Sequence, residues 1–120
     1  MPIEQVHGPS TALRPAVALF RGLADPTRLA IIQHLASGPA RVADLVEVLG
    51  LPQSTVSTHL ACLRDCDLIS GRPDGRQIFY ALAHPELLDL LEAAEQVLDR
   101  TGAAVALCPI YGTPLSQDPS

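Results

Sequence analysis

The chain has 120 residues, of which 48% are apolar, and this predicts one small globular domain. With two Phe, two Tyr and no Trp, the core must be largely aliphatic, and dimerisation often stabilises a domain of this size. No run of about 18 apolar residues and no signal-type N terminus occurs, so neither a membrane span nor secretion is indicated, and we expect a cytoplasmic protein. Three cysteines in a reducing compartment argue against a disulfide framework and favour reactive or metal-binding thiols.

The net charge of −5 is unusual for a protein that binds nucleic acid, because phosphate contacts require a basic surface. The charge is unevenly distributed, however. Residues 1–41 contain four arginines and two acids, whereas residues 83–120 contain six acids and one arginine. If the acidic segment packs away from DNA, the rest of the surface can still bind it, although nonspecific binding should be weak.

The N-terminal third predicts a loose tail followed by two helices. Residues 1–11 contain proline and glycine without periodicity and are expected to be flexible. Apolar residues at helical spacing predict the first helix over residues 12–23. Asp25 as N-cap and Pro26 in the first turn begin the second helix, which the Ser-Gly-Pro sequence of residues 37–39 ends.

The middle of the chain has the helix-turn-helix pattern. A short amphipathic helix over residues 42–49 ends at Gly50, and another helix starts at Gln53 or Ser54. On this second helix Val56, Leu60 and Leu63 form the stripe expected to be buried. The small polar residues on its other faces are candidates for contact with base edges and phosphates. The alternative is that they form only a helix cap and a solvated face. These candidates are Gln53, Ser54, Thr55, Ser57, Thr58 and His59.

Two β-prone runs follow, at residues 68–70 and 77–82, and the Asp-Gly sequence between them predicts a hairpin. Arg72 and Arg76 near its tip would lie beside the phosphate backbone or minor groove, as in the wing of a winged helix. A long helix begins after Pro85, and its apolar face is broader than one domain needs. We therefore expect the first and last helices to form the interface of a symmetric dimer. Such a dimer would present two copies of the second helix of the helix-turn-helix, the reading helix, to a palindromic site.

Cys62 and Cys66 lie four residues apart on the predicted reading helix. Residues at this spacing share a helix face with their Cβ atoms about 5 to 6 Å apart, so two thiolates could bind one soft ion. The helical phase places both at the edge of the buried stripe and not at its centre. The alternative is that they are small apolar residues that happen to have this spacing.

Taken together, these motifs carry a family resemblance. The sequence Leu-Ala-Asp-Pro-Thr-Arg at residues 23–28, the Ser/His/Leu pattern of residues 54–63 and the Gly-Arg wing that starts at Gly75 resemble the ArsR/SmtB metalloregulatory repressors. The resemblance covers roughly residues 12–100. It implies a mainly α fold with a β-hairpin wing, a winged helix-turn-helix homodimer that binds double-stranded operator DNA and releases it when it binds a metal ion. It implies no enzymatic activity.

The resemblance also sorts the possible metal ligands. The short helix at residues 42–49 has no thiol, and the last helix lacks the histidines that other members use. Cys62 and Cys66, with Cys108 in a C-terminal tail over residues 102–120, are similar to the ligands of the cadmium- and lead-sensing members. This implies a domain over residues 12–101, Cd(II) or Pb(II) as inducer with As(III) as an alternative, and no organic cofactor.

Two other functions remain open from the residues themselves. The same repressor could use its thiols to sense oxidants, although a helical disulfide between residues four apart is geometrically poor, and Arg64 is the only basic residue that the sequence places near them. A thiol enzyme is the third hypothesis, but the chain lacks a Cys-x-x-Cys motif and an evident base. His34 and His84 are interpreted as structural, and His7 has no supporting pattern.

Overall fold

The computed structural model describes residues 2–103 and residue 107, with side chains described from residue 11 onwards. Within these residues the chain is mainly helical and contains one antiparallel hairpin, as the sequence predicts. The elements in chain order are α1 (Pro2–Leu23), α2 (Pro26–Leu35), α3 (Val42–Leu49), α4 (Gln53–Asp65), β1 (Ile69–Asp74), β2 (Gln77–Leu82) and α5 (Glu86–Arg100).

Helix α1 differs from its prediction at the N-terminal end. Its backbone is helical from Pro2, whereas the sequence predicted a tail over residues 1–11 and a helix only from residue 12. The prediction was based on Gly8 and Pro9, both of which are unfavourable inside a helix. In the structure the helix continues through them, which shows that local propensity did not decide this boundary.

The predicted start of α2 is confirmed. The Asp25 carboxylate accepts hydrogen bonds from the backbone N–H groups of Thr27 (2.9 Å) and Arg28 (3.0 Å), and Pro26 follows it in the first turn. An N-cap of this kind satisfies donors that have no partner inside the helix. The buried residues of α2 are Ile31, Ile32 and Leu35.

Helices α3 and α4 form the predicted helix-turn-helix. Gly50 ends α3 with a φ of +67°, a conformation that glycine adopts without steric cost and that turns the chain towards α4. On α4, Val56, Leu60 and Leu63 are all buried, as predicted from their spacing.

The hairpin is longer than predicted on its first strand. Strand β1 pairs with β2 from Ile69, opposite Leu82, to Asp74, opposite Gln77, and a two-residue turn joins them. The turn begins at Gly75 with a φ of +69°. The sequence predicted a shorter first strand because it contains Gly71 and Pro73. Both residue types are unfavourable in central strands and are tolerated at an edge.

A second connection joins the hairpin to the helix-turn-helix. Ala40, just before α3, exchanges two backbone hydrogen bonds with Tyr80 on β2, at 3.0 and 2.8 Å. The wing is therefore tied to the start of α3 as well as to the end of α4. Both side chains are buried in the common core, so the helices and the hairpin share one hydrophobic centre.

Several large apolar side chains remain exposed on α1 and α5. Leu13, Val17 and Phe20 on α1 are 56%, 46% and 57% exposed, and Val97 on α5 is 60% exposed. Exposed side chains of this size on neighbouring turns of a helix form an apolar surface that is typical of an interaction site. These are the two helices that the sequence predicted to form the dimer interface.

Candidate thiol site and DNA-binding surface

Cys62 and Cys66 lie side by side at the C-terminal end of α4. Cys62 is in its last full turn, and Cys66 is its C-cap, whose N–H donates to the Cys62 carbonyl at 3.1 Å. Both are free thiols of intermediate exposure, which confirms the predicted position at the edge of the buried stripe. Cys66 also packs against the hydrophobic core.

The Cys66 side chain rests against the end of α1. A Cβ atom added to Gly22 would lie 3.3 Å from the Cys66 Sγ atom and 3.1 Å from Leu68 Cδ1. Gly22 itself is buried. The absence of a side chain at Gly22 therefore lets α1 approach the thiol closely, and any larger residue would have to displace Cys66 or Leu68.

The surroundings of Cys66 keep its thiol protonated at neutral pH. Burial raises its pKa above the usual value of 9.0, and the neighbouring Cys62 raises the pKa further through charge and hydrogen bonding. The positive charge of Arg28 acts in the opposite direction. The sequence places only Arg64 near the thiols. The fold adds Arg28, which is 38 positions before Cys66 in the chain and acts on its sulfur.

Arg28 connects three parts of the molecule. Its Nε donates to the Gly22 carbonyl at 2.7 Å and its Nη2 to the Arg21 carbonyl at 3.1 Å, so it caps the C-terminal end of α1. Its Nη1 lies 3.2 Å from Nδ1 of His59 on α4. The same His59 nitrogen is 3.8 Å from Asp25. Residues 23–28 thus supply the N-cap of α2, the cap of α1 and a contact to the reading helix.

The third predicted ligand, Cys108, lies outside the described residues. The residue before it is held by two helices: the Leu107 N–H donates to Glu95 Oε2 on α5 at 2.6 Å, and Gln33 Nε2 on α2 donates to the Leu107 carbonyl at 3.2 Å. Over the described part of the chain, no group of three His, Cys, Asp or Glu side chains is arranged to hold a metal ion. Two thiols with adjacent sulfurs nevertheless fit part of a soft-metal site.

The polar residues predicted to contact DNA divide into three groups on α4. Gln53, Ser54 and Thr58 are exposed, and Thr55 and Ser57 are half-buried. The Thr58 hydroxyl donates to the Ser54 carbonyl at 2.9 Å, which leaves its oxygen lone pairs available as acceptors. The His59 side chain is only 20% exposed and points to the corner between α1 and α2. The outward orientation predicted for His59 is therefore not what the structure has, because Arg28 and Asp25 hold its ring.

The two predicted wing arginines are exposed. Arg76 lies in the turn, whereas Arg72 lies on β1 opposite Phe79, with its guanidinium carbon 6.0 Å from the ring centroid. Arg41 approaches the same ring at 5.9 Å. Arg41 also forms a two-pronged ion pair with Asp44 and donates to Gln77 on β2 at 3.2 Å. The guanidinium of Arg41 therefore connects the wing to α3. The position of Arg41 in the sequence did not indicate this role.

Comparison with known proteins places this architecture in a family. The family profile described as "Bacterial regulatory protein, arsR family" matches residues 25–70, which run from the N-cap of α2 into β1. The chain is 38% identical over 100 residues to a probable mercury resistance operon repressor of Streptomyces lividans, covering 83% of this chain and 80% of that protein. It is 45% identical over 80 residues to the transcriptional regulator CmtR of Mycobacterium tuberculosis, covering 67% and 68% of the two chains.

Solved structures of related proteins have a similar fold. The NMR structure of the cadmium sensor CmtR from Mycobacterium tuberculosis has a TM-score of 0.59 at 44% identity and covers 68% of this chain and 85% of that one. NolR from Sinorhizobium fredii has a TM-score of 0.70 at 28% identity, with 82% and 94% covered. None of the helices over residues 2–103 is long and apolar enough to cross a membrane. The sequence relatives and the shared fold show that this chain belongs to the ArsR/SmtB family of transcriptional repressors, which are regulators and not enzymes.

Proposed function

We propose that this protein is a homodimeric repressor that binds operator DNA when metal-free and leaves it when Cys62, Cys66 and Cys108 bind a soft, thiophilic ion. The observation that carries the proposal is the position of two adjacent thiols at the end of the helix that would read DNA. A ligand bound there acts on the orientation of that helix. Metal and DNA would then exclude each other.

The donor set favours a soft ion. Three thiolates form a three-coordinate site that suits Cd(II), Pb(II) or As(III), whereas Zn(II) in a closed site normally takes four protein ligands. The resemblance to the cadmium sensor CmtR supports Cd(II) or Pb(II) as the inducer. The mercury-operon relative gives a specific reason to test Hg(II) as a second candidate, since the two thiolates of α4 could bind it without a third ligand.

The exposed apolar faces of α1 and α5 support the dimer. Burying a large apolar side chain stabilises an interface by about 1.5 to 3 kcal/mol relative to leaving it exposed, and Leu13, Phe20 and Val97 are each more than half exposed in the single chain. One structural neighbour, a winged helix-turn-helix domain from Mycobacterium bovis with a TM-score of 0.70 at 25% identity, is described as homodimeric. A symmetric dimer would present two copies of α4 to a palindromic operator.

The proposal is tested by titrating the reduced protein with Cd(II), Pb(II), Hg(II), As(III) and Zn(II) while recording the ultraviolet thiolate charge-transfer bands. Operator release is then followed by fluorescence anisotropy with each ion. We expect Cys62→Ser and Cys66→Ser to lose tight ion binding and to stay on DNA in its presence. Cys108→Ser should keep a weaker two-thiolate site but lose the coupling to DNA.

The outcomes separate the parts of the proposal. Full ion-driven release by Cys62→Ser or Cys66→Ser would exclude a site on α4. Full release by Cys108→Ser alone would remove only the C-terminal segment from the mechanism. Release by a mild oxidant but by none of the ions would favour the oxidant-sensing alternative.

A further inference from the structure

His59 lies on the helix that would read DNA, seven positions before Cys66, which is about 10 Å along the helix at 1.5 Å per residue. A second route connects them through the neighbouring helices. Cys66 rests on Gly22, the Gly22 carbonyl accepts from Arg28, and Arg28 contacts His59. The first step is a close approach, since a Cβ atom built on Gly22 would lie 3.3 Å from Cys66 Sγ, and the other two steps are polar contacts of 2.7 and 3.2 Å.

Arg28 joins α1 to α4 directly. Two of its three guanidinium nitrogens bond the last carbonyls of α1, and the third faces His59. A planar guanidinium fixes the relative directions of its donors, so a shift of the α1 carbonyls must alter the contact with His59. The Asp25 carboxylate, which caps α2, lies beside the same His59 nitrogen and completes the corner.

Gly22 leaves no free space on one side of Cys66. Because a single carbon atom added there would lie 3.3 Å from Sγ, an ion on that side would collide with the α1 backbone. The Cys66 sulfur already hydrogen-bonds Cys62, so an ion that replaces this hydrogen bond must enter between the two sulfurs on the side away from α1. Any movement of Cys66 that this requires changes its close contact with Gly22, and thereby the contact between α1 and α4.

We propose that Gly22 and Arg28 are positioning residues that transmit ion binding at Cys66 to the reading helix. In this relay, Arg28 holds His59 in the DNA-binding arrangement only while Cys66 rests on Gly22. This inference depends on the function proposed above. It assigns the coupling to the corner between α1 and α2.

The test measures operator affinity by fluorescence anisotropy without ion and at saturating Cd(II), for the wild type and for Arg28→Gln. Typical allosteric coupling would weaken wild-type binding about 5- to 150-fold on ion addition. We expect Arg28→Gln to bind Cd(II) with the same stoichiometry, as judged by the thiolate absorption band, and to lose most of this factor. Arg14→Gln is the matched control, since Arg14 is exposed on α1 and its loss changes the net charge equally.

Gly22→Ala tests the other end of the route without removing a charge. Alanine favours the helical conformation of α1 but presses on Cys66 and Leu68. We expect it to weaken operator binding in the absence of ion and to reduce the remaining response to Cd(II). If circular dichroism shows that Arg28→Gln does not fold, Arg28→Lys takes its place, because lysine keeps the charge but not the fixed planar geometry.

The relay is wrong if Arg28→Gln, or the lysine variant in its place, retains the full Cd(II)-driven release of the wild type. Unchanged ion-free binding together with full release by Gly22→Ala would also contradict it. Wild-type protein that binds the operator but ignores every thiophilic ion would overturn the proposed function itself, and the relay with it. These results are distinguishable because the first two require an ion-responsive wild type.

Discussion

The turn that follows α4 contains a strained residue whose replacement has a predictable effect on stability. Asp67 has a φ of +62°, the only positive φ of a non-glycine residue over the described positions. It occupies the place after the C-cap that glycine usually takes: its N–H donates to the Arg64 carbonyl at 2.9 Å, and the next N–H, of Leu68, donates to the Leu63 carbonyl at 3.0 Å. The left-handed conformation costs an ordinary L-residue about 1 to 2 kcal/mol, and less for Asp.

Replacing Asp67 with Gly should therefore stabilise the domain slightly. Glycine removes the strain but adds about 0.4 to 1 kcal/mol of conformational freedom to the unfolded chain, which leaves a net gain of about 0.5 kcal/mol. For a domain of this size that corresponds to a rise in Tm of about 2 to 4 °C. Asp67→Ala should lower stability by about 1 kcal/mol, because alanine has neither the freedom of glycine nor the polar side chain of Asp.

Thermal unfolding followed by circular dichroism gives the order of the three proteins. Asp65→Gly is the matched control, since it makes the same replacement inside α4, where the backbone is right-handed and glycine is unfavourable. We expect it to lower the Tm. The reasoning would be refuted if Asp67→Gly were less stable than the wild type, or if Asp67→Ala were as stable as Asp67→Gly.

Three further predictions concern the DNA-binding surface and the wing. Replacing both Ser57 and Thr58 with Ala should weaken operator binding by about 1 kcal/mol without changing the thiolate band that reports ion binding; undiminished affinity in anisotropy would exclude them as contacts. Arg76→Ala should weaken binding to operator and unrelated DNA alike and flatten the salt dependence by about one phosphate contact, whereas a loss confined to the operator would indicate base contact. The pKa of Asp44 is held at about 2 by its hydrogen bonds and ion pair with Arg41, so its contribution to stability is complete above pH 4 and is lost as the pH falls towards 2; Asp44→Asn should lessen the acid sensitivity of unfolding in that range, and an unchanged pH profile would count against the ion pair.

Local signals in the sequence predicted most of the fold. Asp25 with Pro26, Gly50, and the spacing of Val56, Leu60 and Leu63 each determine structure within a few neighbouring residues, and the structure has all of them as predicted. The start of α1 was predicted wrongly because glycine and proline at residues 8 and 9 are a local argument for a tail, and the observed helix does not follow it.

The contacts around the thiols could not be predicted in the same way. Arg28, Gly22 and Cys66 lie far apart in the sequence, and nothing in their local patterns says that α1 ends against the last turn of α4. His59 shows the same limit. Its position on the polar side of α4 predicted that the ring would face outward. In the structure Arg28 of α2 contacts the ring and holds it inward. Helix phase predicts which side chains lie outside the core, whereas the tertiary fold determines which residues they contact.

Ion binding should depend steeply on pH, because burial and the neighbouring Cys62 raise the pKa of the Cys66 thiol above its ordinary value. The thiol therefore carries its proton at neutral pH and must release it before the sulfur can bind an ion. Each proton displaced makes the apparent affinity about tenfold higher per unit rise in pH, so the proton of Cys66 alone predicts a steep increase in affinity for Cd(II) between pH 6 and 8. Titrations at several pH values, followed by the thiolate absorption band, measure this slope. Cys66→Ser should reduce it by the contribution of one proton, in addition to weakening binding. An affinity for Cd(II) that does not change with pH in the wild type would mean that the Cys66 thiol is already ionised. The positive charge of Arg28, and not burial, would then determine the direction of its pKa shift.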